Sequence, residues 1–216
     1  NRKLGENDSE ICIIIRLDLS DSFIPLYSQL KYSPNTIIPY SIYETNEELD
    51  KITGNRLTII EYAAFFGSSN IFKFLFLQKP SLPENLWKCA IHSRNYEIIH
   101  LLEESKLIPP SNSYKTLLME AIKCHNNELA DYLIEKYFQN ELDPIKLDYE
   151  IMETIIQSHN YPMMLDFLEN NFVFTNQLFI DLCKFDYYHI VAILLKSQDI
   201  DINYQQIIIL NTSFEI

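Results

Sequence analysis

Apolar residues along this chain return at steps of three and four, the spacing that gives a helix one buried face. The clearest stretch is Ile59, Ile60, Ala63 and Ala64, closed by Gly67 and followed by Ile71, Phe72, Leu75 and Phe76. It reads as two short helices joined by a tight turn. Gly67 supplies positive φ at the end of the first helix, and Ser69 and Asn70 are placed to cap the second. The same logic predicts caps at Asn95, Asn126 or Asn127, Asn160 and Asp186. Pro162 falls where a second helix begins, where its missing N–H costs nothing.

The pattern repeats. Segments 90–102 and 121–133 share a small residue, a polar turn carrying Asn, and apolar residues at helical spacing. With Ile15, Ala64, Ala90, Ala121, Ile155 and Cys183 as equivalent anchors, six units follow, separated by 49, 26, 31, 34 and 28 residues. The unit at Ile155 reaches Asn160, Met164 and Phe167 only if one inserted residue is allowed. The first gap has room for an insertion or a lost repeat. The expected units are 10–50, 55–80, 82–110, 112–143, 147–173 and 176–203, with 204–216 opening a further or truncated repeat of one array over 1–216. Small anchors let stacked helices approach closely, and each pair needs its neighbours to complete a core. Pro80, Pro83, Pro109-Pro110 and Asp143-Pro144 fall between units, as helix-stopping residues should. Pro25 falls inside the first unit's second helix, which counts against that unit.

Composition narrows the reading. Only 3 glycines occur in 216 residues, too few for a sheet fold rich in β-hairpins or for phosphate loops. The hydrophobic fraction of 47% supports a packed core. A net charge of −13 argues against nucleic acid, which needs clustered Lys and Arg, and against an anionic membrane surface. The acidity reads as a solvated surface or as complementarity to a basic partner. Cys12, Cys89, Cys124 and Cys183 are too scattered for a disulfide scaffold and are expected as reduced thiols. With no spanning apolar stretch and no signal-peptide pattern, an intracellular, cytoplasmic setting is expected. The first residue is Asn and no polar cap repeat follows Asn203, so a fragment of a longer protein is an open reading.

Residues 58–67, Thr-Ile-Ile-Glu-Tyr-Ala-Ala-Phe-Phe-Gly, resemble the ankyrin signature T-P-L-H-x-A-A-x-x-G with its Pro and His replaced. Asp186, Ile190, Val191, Leu194 and Leu195, then Asp199-Ile200-Asp201-Ile202-Asn203, resemble the ending that ankyrin repeats write as G-A-D-V-N. More narrowly, segments 60–68 and 86–92 are similar to a degenerate ankyrin-type domain expanded in trichomonad parasites. The resemblance runs from about Glu10 to Asn203. It implies an L-shaped stack with turns along one edge and a concave protein-binding groove. Asn55-Arg56 stands where the family's fingertip Asp-Gly belongs, which is a departure.

No catalytic, cofactor or metal residue is expected. His92 and His100 share one unit and Cys124-His125 adjoin in the next, without HExxH, CxxC or clustered ligand spacing. Cys89 and Cys183 are expected as buried small hydrophobes at anchor positions. Glu47-Glu48 and Glu103-Glu104 are neighbours about 100° apart on a helix and read as solvated charges. Trp87 is expected in the core, with an exposed groove anchor as the other reading, and Tyr187-Tyr188 in an exposed turn. The resulting expectation is an all-α chain, an α-solenoid of helix-turn-helix ankyrin-like repeats. It would act as a monomeric, non-enzymatic scaffold or adaptor for another protein, with no nucleic acid or membrane partner. Alternatives are a regulatory segment of a larger enzyme or effector, and a tetratricopeptide-like module, which helices of about 12 to 14 residues in both halves would mark.

Overall fold

The computed structural model describes residues 5–53, 57–109, 113–138, 149–169 and 176–197. Asn55-Arg56, Asp143-Pro144, Asp199–Asn203 and the expected terminal repeat at 204–216 lie outside the described residues. Within them the chain is all-α, with one isolated β-bridge between Ile37 and Thr58. It divides into two compact units, Asn1–Asn140 and Glu141–Ile216.

In the first unit four hairpins follow the predicted order: α1 (Glu10–Arg16) with α2 (Ser20–Gln29), α4 (Ile59–Phe65) with α5 (Ser69–Phe76), α6 (Leu86–Ser93) with α7 (Tyr96–Glu104), and α8 (Tyr114–Lys123) with α9 (Asn127–Tyr137). A further helix, α3 (Glu47–Thr53), lies in the long first gap. The first helices pack side by side as α1, α4, α6 and α8, and the second helices as α2, α5 and α7. In the second unit α10 (Tyr149–Gln157) pairs with α11 (Tyr161–Glu169), α12 (Asn176–Lys184) pairs with α13 (Tyr188–Ser197), and α10 packs on α12. Pro25 is accommodated inside α2, which still buries Phe23 and Tyr27.

The turns set the repeat register. Each hairpin turn holds one residue at positive φ: Asp18, Gly67, Arg94, His125, His159 and Asp186, spaced 49, 27, 31, 34 and 27 residues apart. In five turns the next N–H donates to the carbonyl five residues back: Leu19 to Ile14, Ser68 to Ala63, Asn126 to Ala121, Asn160 to Ile155 and Tyr187 to Leu182, at 2.9–3.1 Å. This is the Schellman closure. In the sixth, the Asn95 N–H donates to Ser93 Oγ at 3.1 Å. The equivalent residues are therefore Ile14, Ala63, Ala90, Ala121, Ile155 and Leu182. That corrects three expected anchors, Ile15, Ala64 and Cys183, by one position. In the corrected frame Met163 and Met164 are equivalent to Ile98 and Ile99, all buried, so no inserted residue is needed. The shift changes little at Ile15 and Ala64, which are also buried, but it puts Cys183 outside and Leu182 in the core.

The expected caps hold in part. The Asn95 side chain accepts from the N–H groups of Glu97 and Ile98 at 3.1 and 3.4 Å, and Asn160 accepts from Met163 at 3.4 Å. Asn126 makes no cap bond: it is buried, and its amide nitrogen finds no acceptor among the described residues. Asp186 is the positive-φ turn residue rather than a cap. Helix α5 is capped from the preceding hairpin, because the Asp18 carboxylate accepts from the N–H groups of Asn70 and Ile71 at 3.1 and 3.0 Å. A capping box of Thr58 and Glu61 starts α4.

Segment 34–53 is an insertion that crosses the first helices. Its path is held by Ile59 N–H to Thr36 O (2.9 Å), Thr45 N–H to Gly5 O (3.0 Å), Asn7 Nδ2 to Pro39 O (2.8 Å) and the Glu44 carboxylate, which accepts from Asn7 N–H at 3.1 Å and Tyr62 O–H at 3.4 Å. A Cβ on Gly5 would crowd Thr45 Oγ1, and the φ of +66° favours glycine there in any case. Helix α3 then packs on α6 and buries Leu49 and Ile52. Between this segment and helices α1, α5 and α6, every residue of α4 from Ile59 to Ala64 is buried.

Candidate functional site

The turns that close each hairpin carry a repeated side chain. Two residues after the positive-φ position stands a tyrosine in three of the six turns: Tyr96, Tyr161 and Tyr188. Their rings are 38%, 51% and 67% exposed. They are not loose. Tyr96 O–H donates to Glu128 Oε2 at 3.0 Å. Tyr161 lies 5.1 Å from the Tyr187 ring, on which His159 also stacks at 5.6 Å, and Tyr188 lies 3.9 Å from His189. An exposed tyrosine offers apolar area and a polar tip with few rotatable bonds to immobilise. The expectation for Tyr187-Tyr188 is therefore half corrected: Tyr188 is exposed, whereas Tyr187 is buried and donates to Ile156 O at 3.0 Å.

Neighbouring turns in each unit are tied together by side chains. Ser68 Oγ donates to Ile15 O at 2.5 Å, Asn95 Nδ2 to Gly67 O at 2.9 Å, and Arg94 Nη2 to Cys124 O at 2.7 Å. The Tyr187 bond to Ile156 joins equivalent positions to those of Ser68 and Ile15. Such cross-turn bonds stiffen the turns within each unit.

The first-helix face is less available. Tyr62 of α4 is fully buried beneath the insertion, with its oxygen accepting from Arg16 Nη1 at 2.5 Å. Burial pushes the Tyr62 phenol well above its ordinary pKa and the Cys12 thiol up to about 11, so both stay neutral. Trp87 sits in the core with its Nε1–H donating to Leu107 O at 3.1 Å.

Two clusters gather residues that the sequence left apart. His92 of α6 meets Glu120 and Cys124 of α8: His92 Nε2 lies 2.9 Å from Glu120 Oε1 and 3.3 Å from Cys124 Sγ. The Phe65 ring stacks on the imidazole at 5.4 Å. The hydrogen bond from His92 holds the Glu120 carboxyl below its ordinary pKa against the effect of burial. Burial, with Glu120 and Glu48 adding to it, pushes the Cys124 thiol up to about 12. Among the described residues this N, O, S set is the one group of three such donors lying within 4.8 Å of one another. His125 is exposed at the turn, and His100 faces Glu103 instead.

Glu103 is the centre of the second cluster. It accepts from Tyr132 O–H at 2.9 Å, Tyr137 O–H at 3.0 Å, Lys136 Nζ at 3.0 Å and His100 Nδ1 at 3.2 Å. Burial works to raise its pKa, and the hydrogen bonds from Lys136, Tyr132, His100 and Tyr137 together outweigh it and hold the carboxyl lower. Glu103 is thus a structural tie between α7 and α9, not the solvated charge expected, while Glu104, Glu47 and Glu48 are exposed. All four cysteines are free. No described helix is long and apolar enough to cross a membrane.

No protein-family model, curated protein or solved structure matches the chain.

Proposed function

We propose that the hairpins are degenerate ankyrin-type repeats stacked as an α-solenoid, and that the chain is a scaffold or adaptor that binds another protein through its inter-helix turns. The paired helices run from 7 to 11 residues, shorter than tetratricopeptide helices, which supports the ankyrin-type reading. Within each unit, hairpins that pack first helix on first helix, with neighbouring turns bonded together, fit a repeat stack.

The observation that carries the binding reading is the recurrence of an exposed, braced tyrosine at one repeat position. Tyrosine is enriched among residues that dominate interface energy. The groove that the family resemblance implies is a poorer candidate, because the insertion already lies over α4 and α6.

The test is affinity capture from lysate of the source cell with three baits: the chain, its Tyr96→Ala/Tyr161→Ala/Tyr188→Ala variant, and a helix-rich control of equal charge. A partner retained at moderate salt by the chain, and lost from the folded variant and the control, is the expected result. Equal capture by chain and variant would remove the turn edge from the account.

A further inference from the structure

We propose that His92, Glu120 and Cys124 form a site for one zinc-class divalent cation, bound through Nε2, a carboxylate oxygen and Sγ with a fourth position open to solvent. The donor types are those that zinc takes, and three protein ligands plus water is a recognised zinc arrangement. The three donor atoms lie within 4.8 Å of one another. Tetrahedral bonds of about 2.0 Å to nitrogen or oxygen and about 2.3 Å to sulfur place donors roughly 3.3–3.8 Å apart. The His92–Glu120 and His92–Cys124 separations of 2.9 and 3.3 Å need to open by less than about 1 Å to meet that requirement.

Their placement on the fold favours a cation independently of spacing. Glu120 and Cys124 stand four residues apart, one helical turn, and so share a face of α8. His92 lies in the last turn of α6 and Cys124 at the C-terminal end of α8, so two helix C-termini direct their negative ends at the site. Phe65 braces the imidazole plane. The side chains of His92 and Glu120 are 11% and 15% exposed, which places the cluster at the margin of the core. Lys88, Lys123 and Arg94 oppose the charge, but the Arg94 guanidinium is held by the carbonyls of Cys124 and His125 at 2.7 and 3.4 Å. On binding, the His92–Glu120 hydrogen bond breaks, the imidazole proton moves through solvent from Nε2 to Nδ1 so that the Nε2 lone pair meets the cation, and the thiol releases its proton to solvent as the metal–sulfur bond forms. The proposal stands apart from the protein-binding reading.

Cobalt(II) titration of the chelator-treated chain tests it. One equivalent should produce thiolate-to-cobalt charge-transfer absorption in the near ultraviolet, and zinc should displace it. Cys124→Ser should abolish the band, His92→Gln should weaken binding at least tenfold, and Cys183→Ser should change neither. Far-ultraviolet circular dichroism checks that each variant is folded. If Cys124→Ser fails to fold, the pair His92→Gln/Glu120→Gln takes its place and should also lose the band. Absence of a thiolate band in the parent chain, or its persistence in the folded Cys124→Ser or paired variant, would overturn the proposal.

Discussion

Helices α4 and α12 occupy the same place in their hairpins, yet they meet different surroundings. Ile59 to Ala64 of α4 are all buried, whereas α12 buries Leu178, Asp181 and Leu182 and leaves Cys183 and Lys184 exposed. The difference follows the sequence. Helix α4 is apolar nearly all round, which a helix needs when every face is covered, and segment 34–46 adds to the cover given by α1, α5 and α6. Helix α12 is amphipathic and keeps one face in solvent. A helical hairpin leaves one face of its first helix open unless another element covers it, and at α4 the chain supplies part of that cover itself.

Substitutions sharpen this contrast, from the largest effect to the smallest. Tyr62→Ala removes a fully enclosed ring and its bonds to Arg16 and Glu44, and should cost about 3–5 kcal/mol. Leu182→Ala, on the helix with one open face, should fall near 2 kcal/mol, the low end for a buried leucine. Urea unfolding followed by circular dichroism compares the two, and equal losses would remove the distinction between covered and open helices.

Glu103→Gln should cost about 1–3 kcal/mol, since several donors lose a charged acceptor. The pH dependence has a definite sign. The Glu103 carboxyl is held below its usual 4.5, so its contribution is present above that value and lost as pH falls through the lower folded one. Stability should decline less steeply below pH 4.5 in the variant than in the parent, and parallel declines would contradict the assignment.

The turns give the smallest effects and the finest comparison. Gly67→Ala places Cβ no closer than 3.5 Å to any neighbour, so its loss, about 1 kcal/mol, should reflect positive φ alone. At the equivalent turn Asp186→Gly should gain a few tenths up to about 1 kcal/mol. Opposite signs in thermal unfolding would support equivalence of the two turns, and a shared sign would break it.

Much of the hairpin arrangement was legible, because helical spacing of apolar residues survives in each repeat. The register was harder to read. Ala63 and Ala64 are both small, so either serves as an anchor, and choosing the second displaced Cys183 to a buried place and created an unneeded insertion at Ile155. Only one turn marks its positive-φ residue with glycine. Asp18, Arg94, His125, His159 and Asp186 adopt the same conformation without that signal, which also explains how a helical-hairpin chain manages with 3 glycines. The His92 cluster was hidden by separation along the chain. Glu120 and Cys124 show a one-turn spacing, but His92 joins them only once α6 packs on α8. The path of the insertion left no trace, since segment 34–46 has no helical period and its partners, Gly5, Asn7 and Tyr62, are distant in sequence.

Hydrogen–deuterium exchange of the chain with its captured partner tests the account most directly. Protection should concentrate at the turns around Arg94–Glu97, His159–Pro162 and Asp186–His189, with α3 unchanged. Protection confined to the first helices α6 and α8, with faster exchange in α3, would show instead that the partner displaces the insertion and takes the first-helix face.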